Sequence, residues 1–159
     1  MIIKEAELEA GKAEYKAGLI ELEEKEKQFE TIEKIYKESY DLVMEQFSAS
    51  QTHFTELKNN LFTQREALNA ELADIVLKKQ ELESKEELTE LERVQLEALE
   101  AEKNAVEIDL KMTQESIISA EEGEAQLQEA KEQFLQTGSE IENGREQIEA
   151  AKQQLSEAK

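Results

Sequence analysis

Few residues in this chain are of types that do chemistry. His53 is the single histidine and there is no cysteine, so zinc ligation and a Ser-His or Cys-His nucleophile pair both lack parts. Glu121-Glu122-Gly123-Glu124 brings carboxylates together, but calcium needs a loop that turns several oxygens inward, and no D-x-D-x-D-G segment supplies one. None of the five glycines stands in a G-x-x-x-x-G-K-[ST] or G-x-G-x-x-G frame that would cradle a phosphate. The residues therefore predict a protein that is not an enzyme, with no catalytic set, no cofactor and no metal, in which His53 is an exposed or helix-initial residue and the carboxylate cluster a solvated helical face.

The elements that carry these residues follow from composition and period. The chain has 159 residues, 36% charged and 38% hydrophobic, with no Pro and no Trp, too few large apolar side chains for an ordinary globular core and well suited to a long, narrow helical object. An acidic disordered segment shares this composition but has no reason to keep its apolar residues at a fixed period. The formal charge of -20 repels phosphate backbones and anionic headgroups, which argues against nucleic acid and against direct membrane-surface binding. No apolar run approaches the ~20 residues that span a bilayer, and Met1-Ile2-Ile3-Lys4 is too short for a signal sequence. The heptad still runs at the final Glu-Ala-Lys, so an excised soluble piece of a longer chain is expected.

Leu8, Tyr15, Leu22, Phe29, Tyr36 and Val43 recur at intervals of seven, the mark of a helix holding one seam against a partner helix. The series resumes as Phe54, Leu61, Leu68, Ile75 and Leu82 after a step of eleven, a four-residue stutter. Ser48-Ala-Ser-Gln51 within that step has a capping pattern, so residues 48–52 are either a smooth stutter or a break. A third series runs through Leu99, Val106, Thr113, Ala120, Leu127, Phe134, Ile141, Ile148 and Leu155. Between the halves, Ser84-Lys-Glu-Glu87 offers a capping box, which places a reversal near 80–84.

Folding back there predicts an all-α fold, a long antiparallel coiled-coil helical hairpin. Leu8 then faces Leu155, Tyr15 Ile148, Leu22 Ile141, Phe29 Phe134, Tyr36 Leu127 and Val43 Ala120, a register defined only modulo seven. Beside this seam the C-terminal arm carries Gly123, Ala130, Thr137, Gly144, Ala151 and Ala158, and the N-terminal arm Gly11 and Gly18. Small residues at one core position let antiparallel helices approach, each large side chain lying over a gap in the other arm. The candidate packing seam is thus Leu8, Gly11, Tyr15, Gly18, Leu22, Phe29, Tyr36 and Val43 against Leu127, Phe134, Ile141, Gly144, Ile148, Ala151 and Leu155. Extra apolar residues between Leu42 and Phe62 and between Val94 and Ile118 predict a thicker distal head of three or four helices. The expected organisation is an ascending stalk helix at 1–47, a distal helical head at 48–119 and a descending stalk helix at 120–159.

"EAGKAEYKAGLIELEEKEKQFE" (Glu9 to Glu30) and "SEIENGREQIEAAKQQLSEAK" resemble the glycine-punctuated helical arms in the large extracellular loops of FtsX-like (MacB-like) ABC transporter permeases, mostly of Gram-positive bacteria. The resemblance covers the two ends, about 60 residues, and is one of texture, not of catalytic motifs. It implies an extracellular coiled-coil domain at the cell membrane, set between transmembrane helices of the same full-length chain, with a separate ATPase subunit and a protein partner at the distal head. Such a domain transmits ATP-driven movement outward, and a hairpin would bring Met1 and Lys159 together at its base. A heptad seam alone equally fits a structural coiled coil, cytosolic or at the surface, that acts by self-association, and a receptor stalk like those of phage-infection-type membrane proteins is a third reading.

Overall fold

The computed structural model describes residues 2–157. It is an all-α hairpin of two helices packed against each other, α1 (Ile2–Glu83) and α2 (Glu90–Glu157), with no strand among the described residues. Helices this long persist because no proline removes a backbone donor and Ala, Leu, Glu, Lys and Gln dominate their exposed faces. Hydroxyl residues inside them bond to the helix itself: Thr52 Oγ1 donates to the Ser48 carbonyl at 3.0 Å and Thr55 Oγ1 to that of Gln51 at 3.0 Å. Ser48-Ala-Ser-Gln51 is therefore helix interior, and residues 48–52 continue α1 without a break.

The reversal lies at residues 84–89, beyond the 80–84 read from the sequence. Gln80–Glu83 remain helical, and α1 closes with the Ser84 amide donating to the Gln80 carbonyl at 3.0 Å and Ser84 Oγ to that of Glu81 at 2.8 Å. Ser84-Lys-Glu-Glu87 does not open α2. The same pattern five residues on does, as Thr89-Glu-Leu-Glu92: the Glu92 amide donates to Thr89 Oγ1 at 3.1 Å and the Thr89 amide to Glu92 Oε1 at 3.2 Å. Lys85 adds an ion pair to Glu92 across the loop, and the later turn keeps Leu82 in the seam, where it lines a groove with Leu99.

Spatial proximity groups Met1–Phe47 with Glu129–Lys159 and, separately, Ser48–Gln128. The second group holds most of the buried residues, Ile75, Val106, Thr113, Ile117 and Ala120, with Ile117 only 2% exposed. It is built from the same two helices, so the thicker head of three or four helices is not formed among the described residues. Many of the extra apolar residues point outward instead, Val94, Ile108, Met112 and Ile118 among them. The chain exposes 12376 Å², about half as much again as the ~8,100 Å² of a globular monomer of its mass, as a core one side chain deep requires.

Within the first group the register differs from that expected. Leu155 lies against Gly18, its Cδ1 3.6 Å from where a Cβ on that glycine would be, and Leu8 is 60% exposed. The later turn moves each α1 partner of an α2 residue toward higher numbers, so α1 extends past Leu155 at its N-terminal end. The expected meeting of Met1 with Lys159, and the place of Ala158 in the small-residue series, lie outside the described residues.

The cap makes the first prediction. Thr89→Ala should lower the unfolding free energy by about 1 kcal/mol, read as a lower urea midpoint with an unchanged m-value.

Candidate functional site

The feature with the most specific geometry is the seam between the arms. In the group formed by Met1–Phe47 and Glu129–Lys159, aromatic rings of α1 sit in glycine notches of α2. A Cβ on Gly144 would lie 2.5 Å from Phe29 Cε2 and 3.0 Å from its Cζ, and one on Gly138 would lie 2.8 Å from Tyr36 Cζ. Because Gly138 presents no side chain, the Tyr36 hydroxyl reaches the α2 backbone and donates to the Phe134 carbonyl at 3.1 Å. Tyr36 also stacks on Phe134, centroids 4.8 Å apart, and Tyr40 and Phe47 pack round the same ring at 5.9 and 6.1 Å. Burial, and secondarily Tyr40, raises the Tyr36 pKa above its ordinary value. In the group formed by Ser48–Gln128, Phe54 occupies the corresponding notch, with Cε1 2.7 Å from a Cβ placed on Gly123.

Charged residues at core spacing form rungs between the arms. Glu33 is only 8% exposed at a seam position, where Oε1 receives Lys37 Nζ and Arg145 Nη1, each at 2.8 Å. The Lys37 hydrogen bond holds its carboxyl below the usual range, with Arg145 adding to the effect against the opposing cost of burial. Glu26 pairs with Lys152, Lys58 Nζ with Glu124 Oε2 at 2.8 Å, and Lys79 with Glu100. Arg65 Nη1 donates to Gln114 Oε1 at 3.2 Å while its guanidinium lies 5.0 Å from the Phe62 ring centroid. The Lys58 ammonium beside Glu124 and the Lys79 ammonium beside Glu100 hold these carboxyls below their usual range. The polarity reverses once along the seam: at Glu26 and Glu33 the acid is on α1 and the base on α2, and at Lys58 and Lys79 the reverse holds.

Of the residues read from the sequence as the seam, Ile141 is buried, and Tyr15, Gly18, Leu22, Phe29, Tyr36, Val43, Leu127, Phe134, Gly144, Ile148, Ala151 and Leu155 are half-buried. Two are elsewhere. Leu8 is exposed, and Gly11 has nothing within 4 Å of a would-be Cβ. Thr137, read as a small seam position, is exposed, and its neighbour Gly138 takes that place. The signal for Gly138 is its spacing of seven from Lys131 and fourteen from Glu124, both half-buried; that second core series carries charge, so a search for apolar heptads passes over it.

Catalytic parts are not assembled at the seam. His53 is exposed, with its ring 5.9 Å from that of Phe54. Glu124 is committed to Lys58 while Glu121 and Glu122 face solvent. Among the described residues no group of three or more His, Cys, Asp or Glu is placed to hold a metal ion, and no helix is long and apolar enough to cross a membrane. The grooves beside the seam mix apolar and polar lining: Leu22, Phe29, Ile32 and Ile148 share one with Lys25, Gln28 and Gln147.

The notches and rungs make two predictions. Alanine exceeds glycine as a helix former by ~1 kcal/mol, so Gly11→Ala, in open space, should raise the melting temperature. Gly138→Ala forces the Tyr36 ring aside and should lower it, because overpacking costs ~1 to 3 kcal/mol of stability. The second concerns pH. A carboxyl acidified in the folded state stabilises above its unfolded pKa, near the ordinary 4.5, and that contribution is lost as pH falls through the lower folded value. The melting-temperature advantage of the native protein over Glu124→Gln should therefore be present at about pH 7 and absent at about pH 2. Compared with known proteins, the chain matches no family model, no curated protein and no solved structure.

Proposed function

We propose that the hairpin is a non-catalytic extracytoplasmic module of an FtsX-like ABC transporter permease, which carries ATP-driven movement across the membrane to an external protein partner. The observation that carries this reading is the contact of Leu155 with Gly18. Leu155 beside Gly18 brings the returning arm back alongside the N-terminal part of α1, toward the end from which the chain set out, as an insertion between two membrane helices needs. The glycine-punctuated texture of Glu9 to Glu30 and of Ser139 to Lys159 supports the same reading, since these are the segments that resemble the permease arms. Ring-in-notch contacts and ion pairs between the arms suit a mechanical role, because they resist sliding of one arm along the other. In this proposal the transmembrane helices belong to the same full-length chain and the ATPase is a separate subunit.

The test is location. In cells that make the full-length protein, an antibody to the hairpin should detect it in the membrane fraction, and protease added to intact cells should abolish that signal. A protease-resistant signal in the soluble cytosolic fraction would reject the proposal.

A further inference from the structure

The first third of α2 has two apolar faces, and the hairpin uses one. Leu99, Lys103, Val106, Leu110 and Thr113 turn toward α1 and are buried or half-buried. On a second line, at steps of three and four residues, lie Leu91, Val94, Ala98, Ala101, Ala105, Ile108 and Met112, all exposed, Leu91 at 68% and Met112 at 60%. At heptad geometry this line is about 150° round the helix from the seam, so α1 does not obstruct it. Three heptads without a polar interruption are what a helix pressed against another helix carries. The arrangement of sizes, large at both ends with three alanines between, lets the middle of two such faces come very close.

We propose that this face binds the same face of a second copy of the chain, antiparallel, about a two-fold axis between residues 99 and 100. That axis places Leu91 against Ile108 of the second copy, Val94 against Ala105 and Ala98 against Ala101, each contact occurring twice. Charge selects this arrangement. Beside the face, Glu90 meets Lys111 of the second copy, twice, while Glu97 meets Asn104 and Gln95 meets Glu102. A parallel pairing would set Glu97 against Glu102 twice and leave Lys111 opposite Ser116. Six of the seven residues pair across this axis and Met112 lies beyond them, opposite Glu87 of the second copy, so the interface is a small one of the transient kind. Each copy carries a formal charge of -20, so long-range repulsion opposes association and salt favours it. The pairing does not depend on the permease reading and joins closed hairpins, leaving the seam between α1 and α2 intact.

Sedimentation equilibrium of the chain should show a monomer–dimer equilibrium that tightens between low and physiological salt. Ala101→Glu, at an exposed position, should raise the dimer dissociation constant more than about tenfold with unchanged helicity. Glu90→Lys and Lys111→Glu should each weaken self-association, and a mixture of the two variants should recover it. The native chain has no cysteine, so orientation can be read by oxidation. A Leu91→Cys copy and an Ile108→Cys copy should cross-link with each other and neither with itself, since residue 91 of one copy lies ~25 Å from residue 91 of the other. A monomer at all concentrations, which would leave this face to another protein or to solvent, overturns the proposal. So does dimerisation unaffected by Ala101→Glu, or self-cross-linking of Leu91→Cys.

Discussion

Everything in the hairpin depends on how closely two helices can approach when each has only the other to bury against. A seam between two helices is one side chain deep, so an apolar residue is either in contact with the facing arm or in water, with no second layer behind it. Only seven described residues reach burial, two of them polar. With so few buried groups, stability rests on tight local fit. That is why glycines recur in helices where their backbone entropy counts against them: at Gly123, Gly138 and Gly144 a Cβ would collide with an aromatic ring of α1. At Gly138 the gap also lets the Tyr36 hydroxyl reach a backbone carbonyl, so the ring carries a hydrogen bond into the seam.

Close approach sets the distance between the arms, and the charged rungs set their register. Apolar heptads tolerate a slip of seven residues, because one leucine replaces another. An ion pair in the seam does not, since Glu33 without Arg145, or Lys58 without Glu124, leaves a charge partly withdrawn from water with no partner on the facing arm. The reversal of polarity between Glu33–Arg145 and Lys58–Glu124 means that the two sets of rungs are not interchangeable. The turn cooperates with them. Thr89 and Glu92 satisfy each other's orphan amides at the start of α2 and so define where the second arm begins.

The same one-layer geometry explains the surface. A distal segment rich in apolar residues reads as the core of a thicker bundle, but two helices have room for one seam only. The remainder stays outside, and on α2 it keeps a heptad period of its own from Leu91 to Met112. A helix with two apolar lines on nearly opposite sides is half-used by a hairpin, and its second line belongs to the surface chemistry of the molecule.

Sequence alone determined that the chain is helical, that it folds back as an antiparallel hairpin and which heptad positions form most of the seam. These follow from local rules: no proline, a period of seven, and a capping motif between two long apolar series. It misplaced the turn by several residues and opposed Leu8 to Leu155, because a heptad pattern looks the same after every seven-residue shift and two capping boxes lie close together, and it took Thr137 where Gly138 stands because the series of Glu124 and Lys131 to which Gly138 belongs is charged. Register, the start of α2 and the identity of the notches were decided only in the tertiary structure. The reason is physical: a notch is defined by the ring that enters it, and a rung by the charge it meets, and both are properties of two segments brought together from distant parts of the chain.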